Sequence, residues 1–211
     1  MGKFWGDRPP LPLPDFAEVN GGSGPDVLFG GLARIGSHIH AGGDNDIVYA
    51  GSGNDTVWGQ GGSDWLFGQG GNDTIFGDDG SDVGNDFIAG GAGVDQLFGG
   101  LGEDTFIWYD ISETGTSPGF GGNMDVIGDF NPLQHDHINL APLRNSAGLQ
   151  NLSFVDFHHQ DGFTSAGQVG WDWDAYGNIN IWINTDSDSQ AEAGISVQYT
   201  GFQPDATWFQ L

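Results

Sequence analysis

The chain has 211 residues, 39 of them glycine, and carries 29 acidic side chains against 4 lysines and arginines, for a formal net charge of −25. Such a charge excludes nucleic acid and anionic membrane surfaces as natural partners and requires cations. The absence of cysteine excludes disulfides and thiolate metal sites, while 37% hydrophobic residues, with 8 Trp and 15 Phe, are too many for a permanently solvated chain.

Residues 1–20 read as an N-terminal extension. They hold no apolar run long enough for a signal-peptide core, and no later stretch has the length of a membrane span, so any export is expected to use another signal.

Residues 21–108 are periodic. Gly51-Ser52-Gly53-Asn54-Asp55-Thr56-Val57-Trp58, Gly61-Gly62-Ser63-Asp64-Trp65-Leu66-Phe67 and Gly70-Gly71-Asn72-Asp73-Thr74-Ile75-Phe76 recur at a nine-residue step. Numbered as Gly-Gly-x-Gly-x-Asp-x-U-x, with U large and apolar, the sixth position reads Asp26, Ser37, Asp46, Asp55, Asp64, Asp73, Asp82 or Asp86, Asp95 and Asp104. The eighth reads Leu28, Ile39, Val48, Val57, Leu66, Ile75, Ile88, Leu97 and Phe106, without a polar substitution. Each unit therefore predicts a short strand around one inward U residue, followed by a turn whose positive φ angles suit Gly, Asn or Asp. Two units are irregular: one has extra residues around Ala33 to Gly36. The other holds a complete turn, Gly77 to Asp82, ahead of its strand, which leaves Asp82 and Asp86 both as candidates for the sixth position.

This nonapeptide resembles the RTX (repeat-in-toxin, haemolysin-type) calcium-binding repeat. The resemblance implies an all-β fold: a right-handed parallel β-roll with two units per coil, and several Ca²⁺ ions between adjacent turns on each edge. The position-six side chains and turn carbonyls would bind them. Hard carboxylate and carbonyl oxygens in Gly-rich turns are the donors that Ca²⁺ prefers. Neighbours on one edge are two units apart, so the candidate ligands divide into Asp26, Asp46, Asp64, Asp82 or Asp86, and Asp104 on one edge, and Asp55, Asp73 and Asp95 on the other. Ser37 would weaken the start of the second series.

Positions seven and nine point outward. In odd units they are mostly apolar (Val27, Phe29, Ile47, Tyr49, Trp65, Phe67 and Phe87), which predicts a face covered by residues 109–211 or by a second subunit.

Residues 109–211 lose the period and read as a β-rich cap, with strands around Asp125–Phe130, Ile138–Leu140, Ile179–Ile183 and Ile195–Tyr199. This region resembles the segment that follows the repeats in serralysin-type proteases and mannuronan epimerase R-modules. Asp186-Ser187-Asp188 lacks the remaining features of an EF-hand loop and reads as a turn with a minor claim to a cation. His38 and His40, His135 and His137, and His158 and His159 read as surface or loop residues rather than metal ligands. His-Glu-x-x-His is absent, so no protease site is expected.

The leading reading is a secreted, non-catalytic calcium-binding module that folds outside the cell and serves as scaffold, secretion aid or binding surface. The resemblance implies type I secretion with a C-terminal signal. The alternatives are an extracellular polysaccharide-binding module with outward aromatics, and an enzyme using Asp136, His137, His158 or His159.

Overall fold

The computed structural model describes residues 17–31, 36–116, 123–146, 149, 151–158, 162–188, 190–198 and 201–211. Most of the N-terminal extension, the irregularity at Ala33, and His159 lie outside the described residues.

Ten strands arise from the periodic region: β1 (Ala17–Gly22), β2 (Val27–Phe29), β3 (Ser37–Gly42), β4 (Ile47–Ser52), β5 (Thr56–Gln60), β6 (Trp65–Gly70), β7 (Thr74–Phe76), β8 (Phe87–Ala92), β9 (Gln96–Phe98) and β10 (Thr105–Ile107). Each pairs in parallel with the strand two places away, so two units make one coil and the strands divide into two stacked sheets. The register is set by the U residues: Ile39 lies beside Val57, which lies beside Ile75. Opposite them, Val48, Leu66 and Ile88 form the second row. All of these, with Leu97 and Phe106, are fully buried in one core, and Leu28 at the open end packs against it. Full burial of such a side chain contributes roughly 1.5–3 kcal/mol. One inward side chain per unit makes a thin core, so the edges matter to stability.

Strand β1 starts at Ala17, within the stretch read as an extension, and sets Val19 beside Ile39. The C-terminal region continues both sheets. Strand β11 (Gly115–Thr116) is followed by β12 (Asp125–Ile127), which joins β9, and by β13 (His137–Asn139), which joins β10. A short helix α1 (Leu143–Ser146) leads to β14 (Ser153–His158), β15 (Gln168–Trp173), β16 (Ile179–Ile183) and β17 (Ala193–Val197), which extend the first sheet beyond β12. The last strand, β18 (Phe209–Gln210), pairs with β13, and Trp208 and Phe209 are buried. The fold is thus an all-β parallel roll whose sheets run on into the cap.

One expectation is corrected. The cap does not cover the outer face of the second sheet: Val27, Phe29 and Trp65 are 57%, 66% and 47% exposed. Only its far end, at Ala89, Thr105 and Ile107, is buried, where the 3-10 turn Ile111–Glu113 packs beside β8. The cap strands take up the open backbone hydrogen bonds at the sheet edges, and so lie beside the roll rather than over its face. The exposed Phe29 and Trp65 instead lean on half-buried rings, with Phe29 on Tyr49 at 5.4 Å and Trp65 on Phe87 at 4.8 Å, while Tyr49 stacks on Phe67 at 5.1 Å. On the first sheet His40, Trp58, Phe76 and Phe98 make a similar stack.

Candidate metal sites

Each position-six Asp stands immediately before its strand, and the stacking of coils places these residues above one another. On one edge Asp46 Oδ1 accepts the backbone N–H of Asp26 at 2.7 Å, Asp64 that of Asp46 at 2.8 Å, and Asp86 that of Asp64 at 2.8 Å. Asp104 accepts from Asp86 at 2.9 Å, and Asp136 from Asp104 at 3.1 Å. On the other edge Asp55 accepts from Ser37 N–H, Asp73 from Asp55 at 2.8 Å, Asp95 from Asp73 at 2.7 Å, and Asp125 from Asp95 at 2.9 Å. The two series divide as the two-unit coil predicts.

Unit seven is read directly from this ladder. Asp86 occupies it, because β8 begins at the next residue, whereas Asp82 is exposed and leans over Gly61.

The second oxygens behave differently. Oδ2 of Asp46, Asp55, Asp64, Asp73, Asp86, Asp95 and Asp104 is buried and receives no hydrogen bond. In five of these units the atom is aimed at the unit's first glycine, Gly59, Gly68, Gly77, Gly90 or Gly99; in the Asp46 and Asp55 units that place is held by Ala41 and Ala50. A Cβ on Gly59 would collide with Asp64 Oδ2 and stand 2.6 Å from the Gly77 carbonyl oxygen. At Gly68 the same space lies against Asp73 Oδ2 and the Gly90 carbonyl, and at Gly77 against Asp86 Oδ2 and the Gly99 carbonyl. At these three glycines a carboxylate oxygen and a carbonyl oxygen from the next coil therefore approach each other in space that a Cβ would fill.

Buried anions stacked on one another are unfavourable unless compensated. Burial, opposed by the ladder hydrogen bond and reinforced by neighbouring carboxylates, pushes Asp64 up to about 6, Asp73 to about 7 and Asp86 to about 8. Burial likewise raises Asp95 to about 6 and Asp104 to about 7. Negative hard-oxygen groups with unused buried lone pairs, and no ion pair to a Lys or Arg among the described residues, fit Ca²⁺, which takes about six to eight oxygens in flexible geometry. They fit Mg²⁺ less well, since it needs near-octahedral coordination and keeps its waters.

Reading the nonapeptide misses both ends of the ladder. Asp125 and Asp136 lie outside the nine-residue spacing, yet each keeps the same Asp-x-U pattern at the start of a strand, Asp125-Val126-Ile127 opening β12 and Asp136-His137-Ile138 leading into β13. Their second oxygens are satisfied by protein donors, Trp108 Nε1–H at 2.7 Å for Asp125 and Asn131 N–H at 2.7 Å for Asp136.

Among the described residues Asp186, Asp188 and Glu192 bring carboxylate oxygens within 4.8 Å of one another. Asp186 and Asp188 are exposed and cap the turn, and Glu192 accepts from Thr185. Among the described residues no histidine joins a metal-binding cluster. His40 stacks on Trp58 at 4.3 Å, and His137, on β13 rather than in a loop, has Nε2 3.9 Å from Glu103. No helix of the described residues is long and apolar enough to cross a membrane.

The family model for the RTX calcium-binding nonapeptide repeat matches four stretches, residues 18–33, 37–57, 49–83 and 84–106. Among solved structures the chain is similar to the AlgE6R2 subunit of the Azotobacter vinelandii mannuronan C5-epimerase. Identity there is 21%, over 73% of this chain and 89% of that one, with a TM-score of 0.43. It is also similar to the AlgE6R3 subunit of that enzyme, with 24% identity over 83% of this chain and 72% of that one, and a TM-score of 0.37. No curated protein matches.

Proposed function

We propose that this chain of RTX calcium-binding repeats is a secreted module that folds on binding several Ca²⁺ ions and acts as a non-catalytic scaffold, secretion or binding element. The observation that carries this reading is the double ladder of buried carboxylates with unused second oxygens. Asp26, Asp46, Asp64, Asp86 and Asp104 would hold calcium on one edge, and Asp55, Asp73 and Asp95 on the other, each with carbonyls of the Gly-rich turns. Bound calcium supplies the positive charge that the ladders lack.

The chain's own residues then account for conditional folding. Gly-rich turns lose much conformational entropy on ordering, and uncompensated ladder carboxylates repel one another. In a cytosol poor in free Ca²⁺ these terms keep the repeats open. At extracellular millimolar Ca²⁺, sites of about 10⁻⁴ M are filled and stabilise the fold through mass action. Export by a type I route through a C-terminal signal is consistent with this order of events.

Isothermal titration with Ca²⁺ tests the proposal. It predicts several equivalents bound per chain, poorly displaced by Mg²⁺; a chain that takes up no calcium would refute it. A second reading, polysaccharide binding, rests on the exposed rings of Phe29 and Trp65. A glycan array probed with the calcium-loaded chain tests it.

A further inference from the structure

Unit seven departs from the nonapeptide after Gly77. The second place in a unit is held elsewhere by Gln60, Gln69, Gly91 and Gly100, with φ of 75°, 75°, 97° and 100°. In unit seven it is held by Asp78, and the extra residues Asp79–Asp82 follow before Val83 and Gly84 resume the pattern. Asp78 is only 7% exposed, although it belongs to a surface turn.

Its two oxygens have different surroundings. Oδ2 accepts Leu101 N–H from the next coil at 2.8 Å and Gly84 N–H at 3.4 Å. Oδ1 is buried and receives no hydrogen bond. It borders the space where a Cβ on Gly84 would sit, 3.1 Å from that point, with Asp86 Oδ1 at 2.9 Å and the Gly62 carbonyl oxygen closer still. Gly100 makes room from the other side, since a Cβ there would meet Asp78 Cβ at 2.6 Å. An Asp that only capped a turn would need one oxygen and would leave the other in water. Here the second position of unit seven carries another carboxylate into the interior beside a ladder Asp, where three oxygens surround one small space and no donor reaches Oδ1.

We propose that Asp78, with Asp86 Oδ1 and the Gly62 carbonyl, forms an additional divalent-cation site that takes Ca²⁺ and that the nonapeptide itself does not provide. The inference rests on the calcium reading of the ladders and adds one ion to them on the Asp86 edge. Asp86 Oδ1 already accepts Asp64 N–H, and a carboxylate oxygen has a further lone pair for a cation.

Counting bound calcium by native mass spectrometry tests this. Asp78→Asn keeps an acceptor for Leu101 N–H but removes the charge, and is expected to bind one Ca²⁺ fewer than the parent. Asp79→Asn, at an exposed position in the insertion that follows Asp78, is expected to bind the parent number. An unchanged count and affinity in Asp78→Asn would overturn the proposal. The anomalous map of parent crystals grown in calcium decides without any variant. A peak about 2.3–2.6 Å from Asp78 Oδ1 is expected; peaks along the ladders with none at Asp78 would also overturn the site. No calcium anywhere would instead refute the proposed function.

Discussion

The indole N–H of Trp108 donates to Asp125 Oδ2 at 2.7 Å, filling the position that is left without a donor at Asp55, Asp73 and Asp95 of the same ladder. Trp108 is fully buried, and the ladder ends on this neutral donor from the last residue of the periodic region. Asn131 N–H closes the other ladder at Asp136 in the same way.

Trp108→Phe removes this donor and leaves a buried acceptor unsatisfied, which costs about 1–3 kcal/mol. The urea midpoint of the calcium-loaded chain should fall accordingly, while the number of bound ions stays at the parent value. A double-mutant cycle with Asp125→Asn separates the lost bond from the lost ring volume.

Without calcium the fold should respond to pH in the unusual direction. Burial raises the carboxylates of Asp64, Asp73, Asp86, Asp95 and Asp104 in the folded state to between about 6 (Asp64) and about 8 (Asp86), whereas unfolded Asp stays near 3.8. The folded form therefore binds more protons, and its stability is greatest below about pH 4 and declines as pH rises towards about 8. Circular dichroism in chelator should show more β structure at acid than at neutral pH. With calcium present the trend reverses, because protons compete for the same oxygens, and acidification should raise the calcium needed for folding.

Ladder substitutions should shift the calcium midpoint in opposite directions. Asp64→Ala and Asp73→Ala each remove a charged acceptor as well as a ligand, and about 1.4 kcal/mol alone corresponds to tenfold. A rise of roughly tenfold or more is expected in each variant. Ser37→Asp places a carboxylate where the second ladder begins without one, and should lower the midpoint. Fluorescence-monitored calcium titrations of the three variants provide the check.

Gly68 is needed for the space it leaves. Gly68→Ala would drive a methyl group into Asp73 Oδ2 and the Gly90 carbonyl, so calcium-induced folding should be lost or need far more calcium. Gly24→Ala, with nothing within 4 Å of the added carbon, should match the parent chain. The same titration followed by circular dichroism compares the two.

The periodic part of the fold was legible because one apolar residue per nine must point inward and strands alternate faces. The U row from Ile39 to Phe106 follows from that alone. The choice between Asp82 and Asp86 was not legible, since either can follow a glycine turn, and only pairing of β8 with β6 decides which one enters the ladder. Asp125 and Asp136 were hidden because their spacing reflects loops between strands rather than the repeat, though the Asp-x-U pattern marks them. That residues 109–211 do not cover Val27, Phe29 and Trp65 has a different reason. Side-chain polarity shows that a face is apolar, but the non-periodic strands were placed by backbone hydrogen bonding at sheet edges, which the pattern does not record.

The account stands on calcium compensating two ladders of buried carboxylate, and far-UV circular dichroism at neutral pH tests that most directly. It predicts a coil-like spectrum in chelator, a cooperative gain of β structure at millimolar Ca²⁺, and little response to the same concentration of Mg²⁺. A chain with the same β spectrum in chelator as in calcium would contradict it.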